Sequence, residues 1–307
     1  MKIWTNKIEE SWIMDRVISE WENNNKEIIT DDIKSADIIW ISSYWVWKKI
    51  RKQHLKNKKV MCSIYHIDFE SFDKKQEKDF YKLDSFVDEY HVISLKTKDQ
   101  LKQLTNKKIT SIPFWINQEN WFYIEDKKSI RSSLGFDDDD YLIGSFQRDT
   151  EGKDLKTPKL IKGPDIFIQI AQKLNSNKDK LKVILTGTRR QYVIEQLERL
   201  GIQFVYYEMA DVSLINKLYN ILDLYLVTSR IEGGPQAILE CATIRTPILS
   251  TDVGVANEIL HKDSIIEPDN FESGVINIDY AYKKSKEFKI PEGIDKFVNM
   301  FSELHEN

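Results

Sequence analysis

Short apolar runs rich in β-branched residues alternate along this chain with longer amphipathic stretches, the pattern of doubly wound parallel sheets. Strands covered on both faces read as nearly continuous apolar runs, and these do. In the first half, Met1–Trp4, Ile38–Ser42, Val60–Ile64, Glu89–Ser94 and Ile109–Pro113 are candidate strands. In the second half they are Tyr141–Phe146, Lys182–Thr186, Gln203–Tyr207, Leu222–Thr228 and Pro247–Ser250. With 307 residues the chain exceeds one typical compact domain and suits two, each large enough for its own core. The polar stretch 117–140, ending in four aspartates, is the expected connection.

One segment carries most of the chemistry. Glu232-Gly233-Gly234-Pro235-Gln236-Ala237-Ile238-Leu239-Glu240 follows the apolar run that ends at Ser229. Pro235 suits a first helical position, where a missing N–H costs nothing. Gly233 and Gly234 then lie between a strand's carboxyl end and a helix's amino end, where bare backbone and the helix dipole favour a phosphate. The two glutamates call for a different partner, because an ionised carboxylate only accepts hydrogen bonds and suits pairs of hydroxyls. A nucleotide sugar has that layout, a diphosphate between a ribose and a hexose. The plainer alternative is that Glu232 is a favourable charge at the helix amino end and Glu240 a solvated helix residue.

The run Thr228 to Pro235, then Leu239-Glu240-Cys241-Ala242, then Thr246 to Gly254 and Glu258, resembles the donor-site signature of family 4 glycosyltransferases. Upstream, Gly144-Ser145-Phe146-Gln147-Arg148 followed by Lys162-Gly163-Pro164-Asp165 is similar to the family's paired Arg and Lys. Val183 to Gly187 resembles its next strand, and the likeness covers roughly residues 90 to 265. The resemblance implies a GT-B fold, two Rossmann-like α/β domains with a cleft between them. It implies an acceptor-binding domain over 1–125, a donor-binding domain over 139–290, and a helix within 291–307 that packs back on the first domain. It also implies transfer of a sugar, with retention, from a UDP- or GDP-linked donor to a hydroxyl of a glycan or glycolipid, without metal or other cofactor. Arg148 and Lys162 would bind the diphosphate with Gly233, Gly234, Pro235 and Gly187 near it. Glu232 would hold the transferred sugar and Glu240 the ribose.

Composition bounds the alternatives. Net charge is −4 with both signs abundant, so no basic field argues for nucleic acid. The two cysteines, Cys62 and Cys241, suit a reduced, intracellular protein. The start Met1 to Lys7 lacks an apolar signal core, and no run approaches the ~18 apolar residues of a membrane span. A cytoplasmic protein is expected, with peripheral membrane contact open. Asp137 to Asp140 could share a divalent cation, but they precede a strand and so fall at the wrong end of the sheet, where a solvated turn is the better account.

All eight tryptophans lie at or before residue 121, which fits either core packing or sugar stacking in the first domain. Residues 44–59 begin aromatic and continue basic without one acidic residue, a solvated helix face or a dock for anionic lipid. His66, at the end of a candidate strand, corresponds loosely to a histidine that contacts the transferred sugar in many relatives. The sequence departs from the family in three places. Asn6 to Ser11 replace a glycine-rich turn after the first strand, Val255 replaces a second glycine after Gly254, and Arg245 replaces a helix-ending glycine. The missing Gly-x-Gly-x-x-Gly turn also argues against a nicotinamide dehydrogenase. A sugar-nucleotide epimerase of the same fold and a catalytically silent glycan-binding protein are the competing readings.

Overall fold

The computed structural model describes residues 1–7 and 13–307. The chain forms two units, residues 1–115 with 288–307, and residues 116–287. Each is built on five parallel strands, and the ten strands fall within about two residues of the apolar runs that mark them in the sequence.

In the first unit β1 (Ile3–Thr5), β2 (Ile38–Ile41), β3 (Lys59–Ile64), β4 (Glu89–Val92) and β5 (Lys108–Ser111) lie side by side in that order. Beyond β1 the chain adds one more parallel contact, Ile3 with Ile29, held by Ile3 N–H to Ile28 O at 2.7 Å and Thr30 N–H to Ile3 O at 3.0 Å. The chain therefore leaves β1 to one side and returns to the other for β2, a reversal of the kind that places ligand crevices in open α/β sheets. One sheet face is covered by helix Ile13–Asn24 and by the terminal helix Glu292–Glu306. Trp21 meets Trp40 edge-on at 5.6 Å between ring centroids, and Phe301 lies 5.4 Å from both. Trp47 packs on the opposite face with Ile39, Val60 and Tyr90. Core packing thus accounts for Trp21, Trp40, Trp47 and Trp115, which are all buried, whereas Trp45 is 45% exposed.

In the second unit β6 (Tyr141–Ser145), β7 (Leu181–Thr186), β8 (Gln203–Tyr207), β9 (Leu224–Val227) and β10 (Ile248–Ser250) are ordered β10-β9-β6-β7-β8. The order reverses between β6 and β9, which makes their carboxyl ends the topological switch point. The polar residues 116–140 belong to this unit. Trp121 is buried against Tyr219 at 5.8 Å, and Asn216 and Asn220 accept from the N–H groups of Phe122 and Ile124. Of the aspartate run, Asp140 is buried and pairs with Lys182, while Asp139 and Asp138 pair with Lys180 and Lys128. These lysine partners, Lys180 and Lys182 at the amino end of β7 and Lys128 in the helix Lys127–Ser133, are what the run neutralises. Cys62 and Cys241 are both free and buried. Among the described residues no helix is long and apolar enough to cross a membrane.

A buried polar relay crosses the first sheet. Trp40 Nε1 donates to Ser63 Oγ at 2.8 Å, Ser63 Oγ meets His91 Nδ1 at 2.9 Å, and His91 Nε2 meets the Ile112 carbonyl at 2.8 Å. With the carbonyl fixing a proton on Nε2, Nδ1 accepts from the serine, so the ring is satisfied only when neutral. Burial accordingly lowers the His91 pKa to about 4. The unfolded imidazole, at its ordinary value near 6.5, binds a proton over a pH range where the folded one does not. This stabilisation is complete above about pH 6.5 and is lost as pH falls towards 4. We expect urea denaturation to show a loss on the order of 3 kcal/mol from this group across that window. His91→Gln should be less stable at pH 7 but lose less on acidification; an identical pH slope in both proteins would contradict this account.

Candidate active site

The loops that leave β6 and β9 form one structure. The N–H groups of Arg230 and Ile231 both donate to the Ile161 carbonyl, at 2.8 and 3.1 Å. The Arg230 guanidinium forks onto Asp165 at 2.8 and 2.6 Å and also reaches the Leu160 carbonyl at 2.8 Å. Gln147 Nε2 donates to the Lys162 carbonyl at 2.8 Å, and Thr228 Oγ1 to the Gly163 carbonyl at 2.9 Å. Gly163 has φ +60, and a Cβ there would fall 1.8 Å from the Thr228 carbonyl oxygen, so no other residue fits this crossing. The loop after β10 joins them, since a Cβ on Gly254 would meet the Gly233 carbonyl oxygen at 2.2 Å.

On this frame the Lys162 ammonium contacts the Glu232 carboxylate directly, each side chain being 20% exposed. Arg148 stands exposed in the β6 loop, with no side-chain hydrogen bond or ion pair among the described residues. The N–H groups of Gly233 and Gly234 likewise have no acceptor among the described residues. Pro235, expected at the first helical position, instead precedes it: its ψ of 114° is extended and helix Gln236–Ile244 begins at the next residue. Its carbonyl accepts from Ile238 N–H at 3.0 Å, so it closes the first turn from outside. Glu240 is not the solvated residue of the plainer alternative. It is 6% exposed and accepts from the Tyr219 hydroxyl at 3.0 Å. Burial holds the Tyr219 hydroxyl well above the usual phenol range, so it remains a donor to the carboxylate. Gly187 follows β7 with φ +84, and its carbonyl accepts from Tyr206 at 2.8 Å.

Two groups here went unread in the sequence. Arg190 is 1% exposed; its Nε donates to Asp149 Oδ2 at 2.9 Å and its Nη1 to the carbonyls of Ser145, at 2.7 Å, and Gln147. It thereby fixes the main chain on both sides of the Arg148 loop. Burial pushes the Asp149 carboxyl up to about 6, while Arg190 pulls it down. The second group is Lys159, half-buried between Arg148 and Lys162 in sequence. The only signal for either was a pair of arginines directly after a strand and an excess of lysines before Gly163.

Other expected residues lie elsewhere. His66 belongs to the first unit, half-buried in the loop after β3. Residues 44–59 are not one helical face: a 3-10 helix Tyr44–Lys49 and an α-helix Lys52–Asn57 lead into β3. Extended backbone at Ile50 and Arg51 separates the two, Trp47 and Ile50 are buried, and Lys48 pairs with Asp79 at 2.5 Å. Of the turn after β1, Asn6 is buried and binds Ser42 and Ser43 through its amide; Ile8 to Ser11 and Trp12 lie outside the described residues. Arg245 does take the left-handed conformation, φ +61, with its guanidinium 4.1 Å over the Tyr282 ring. Val255, at φ −79, needs no glycine.

Residues 126–290 match the family described as Glycosyl transferases group 1. The chain belongs to that family. A curated relative, the alpha-galactosylglucosyldiacylglycerol synthase of Streptococcus pneumoniae, is 24% identical over 170 residues, 51% of this chain and 41% of that protein. The chain thus spans about two fifths of that relative's length. Among solved structures, Anabaena HepE in complex with UDP is 14% identical, with a TM-score of 0.76 over 99% of this chain and 100% of that one. The same protein with UDP-glucose gives 0.73 at 14% identity, over 98% and 99%. Sucrose-phosphate synthase from Thermosynechococcus elongatus gives 0.73 at 11% identity, over 97% of this chain and 80% of that one. These likenesses establish the GT-B fold. For this group 1 glycosyltransferase, the crossing at Gly163 yields a direct expectation. Gly163→Ala should lower the unfolding free energy by more than about 2 kcal/mol, because a clash with backbone adds to a left-handed alanine. Denaturant titration measures it, and a loss under 1 kcal/mol would show that the loops can separate without cost.

Proposed function

We propose that this glycosyltransferase is a retaining, family 4 enzyme that moves a hexosyl group from a UDP- or GDP-linked donor to a hydroxyl of a glycan or glycolipid. The observation that carries the reading is the Lys162–Glu232 contact beside the unpartnered Gly233 and Gly234 N–H groups, at the switch point of the sheet. A cation and a carboxylate held together match the two halves of a sugar phosphate. On donor binding Lys162 exchanges its carboxylate for phosphate oxygens, and Glu232 turns to hydroxyls of the transferred sugar.

Arg148, Lys162 and the two glycine N–H groups then face the diphosphate, where negative charge grows in the transition state. The bond from the anomeric carbon to the phosphate oxygen breaks with its electron pair going to the diphosphate. The acceptor hydroxyl oxygen bonds to that carbon and its proton passes to the departing phosphate oxygen, which carries the electron pair of the broken bond. Glu240, aimed by Tyr219, holds the ribose, and Gly187 and Pro235 line the donor's path. No protein nucleophile is assigned. The second unit is the donor domain and the first takes the acceptor, with His66 on the side of the transferred sugar. Protein cations do the neutralising that a divalent metal does elsewhere.

The protein works in the cytoplasm, and a glycolipid acceptor would bring it to a membrane surface through the basic residues Lys49, Arg51 and Lys52. Replacing these three by Gln should weaken flotation with anionic vesicles by roughly 1 kcal/mol per charge; unchanged flotation would remove this contact from the reading.

The glutamates give the sharper test. Glu240→Ala should weaken binding of the bare nucleoside diphosphate. Glu232→Ala should leave that binding unchanged or tighter, since it frees Lys162, and lower turnover instead. Charged hydrogen bonds contribute about 1.5–3 kcal/mol, so each loss should be roughly 10- to 150-fold in its own observable. Calorimetry and steady-state kinetics, both run in EDTA, would show it. Equal loss of nucleotide affinity in the two variants, or binding that requires a divalent ion, would overturn the assignment.

A further inference from the structure

We propose that Lys159 is a third cationic ligand of the donor diphosphate, acting with Arg148 and Lys162; this rests on the donor-site reading above. The chain leaves β6 through Arg148, makes an excursion, and returns: Thr150 pairs antiparallel with Pro158, Glu151 N–H donates to Thr157 O at 2.9 Å, and Lys159 N–H to Asp149 O at 2.8 Å. Lys159 is thereby fastened to the residue that follows Arg148. Its own carbonyl accepts from Lys162 N–H at 2.8 Å, opening the 3-10 turn Leu160–Lys162. Lys159 caps that turn at φ −82 and ψ 80, so this bond holds the main chains of Lys159 and Lys162 together, and the charges of Lys162 and Arg148 are near enough to act on the Lys159 ammonium.

Three cations are therefore gathered at one strand end, and only one has a carboxylate. Lys162 has Glu232; Arg148 and Lys159 form no ion pair or side-chain hydrogen bond among the described residues. For Arg148, exposed to water, that is unremarkable chemistry. For a half-buried lysine that is costly: burial first, then the like charges of Arg148 and Lys162, hold Lys159 below the usual lysine range, with Glu151 and Glu232 offsetting only part of this. An arrangement that destabilises the protein by itself makes sense if an anion completes it. The charges match: a sugar diphosphate carries two negative charges, and the released nucleoside diphosphate gains most of a third because a terminal phosphate loses its second proton near pH ~6. A cation surplus at this point favours the leaving group over the intact donor, which is where differential binding lowers a barrier.

The test uses the whole protein with UDP and GDP as probes. Lys159→Gln should bind the preferred nucleotide roughly 10-fold more weakly than wild type, and Lys159→Arg should restore most of the loss. Calorimetry over a pH series running up to the ordinary lysine value, in two buffers of different ionisation enthalpy, should show proton uptake on binding by wild type at the alkaline end, as the phosphate restores the lysine's affinity for its proton, and less in Lys159→Gln. Without nucleotide, the melting temperature of Lys159→Gln should equal or exceed that of wild type. Equal affinities, equal proton uptake, or a lower melting temperature explaining the weaker binding would overturn the role of Lys159 while leaving the donor site standing. If wild type binds neither nucleotide, the donor-site reading falls first and this role with it.

Discussion

The main-chain carbonyl of Ile161, accepting from both Arg230 and Ile231, is the bond on which the rest of the site depends. It ties the loop after β6 to the loop after β9 without any side chain, and the crossing of Gly163 under Thr228 leaves no room for them to drift. Side chains added to that frame inherit its precision. Lys162 and Glu232 can meet because their backbones are already fixed. The Arg230–Asp165 fork is largely a reinforcement, since it is part-exposed and such pairs contribute little alone.

Beneath the frame lies a second fixed point of the opposite character. Arg190 is a charge buried where charge is expensive, yet it satisfies three main-chain carbonyls and one carboxylate around the end of β6. Replacing it by an apolar residue would leave those acceptors without donors. Its effect on chemistry is indirect: it settles where the main chain that bears Arg148 runs. The loops at the carboxyl end of β6 are thus fixed at two levels, backbone on backbone above and guanidinium on carbonyls below.

The central strands, such as β2, β3, β7 and β9, were legible because they are buried on both faces and so read as apolar runs, whereas edge strands β5 and β8 are only part-buried and were marked by their β-branched and aromatic residues. The Gly-Gly-Pro turn between strand and helix was legible for a local reason too, since glycines and a proline suit such a transition. What could not be read depends on partners distant in sequence. Asp149 and Arg190 are 41 residues apart and neither carries a local mark. Lys159 caps a 3-10 turn of three residues, which is too short to leave an amphipathic trace. Residues 44–59 look like one basic helix, but extended backbone at Ile50 and Arg51 divides the segment, and Trp47 fills the core. Trp121 was ambiguous because an indole suits core packing and sugar stacking alike; its burial against Tyr219 in the second unit shows core packing.

The core of the first unit is drawn from both extremes of the sequence, with Trp21 and Trp40 from one and Phe297 and Phe301 from the other. Synthesis on the ribosome delivers these halves at different times. The first five strands emerge and can pair, but the aromatic face that should be sealed stays open while all of residues 116–287 are made. Contacts of such long sequence separation form late. During that interval the second unit, whose residues are contiguous, can complete itself, so it would mature before the part of the chain that precedes it.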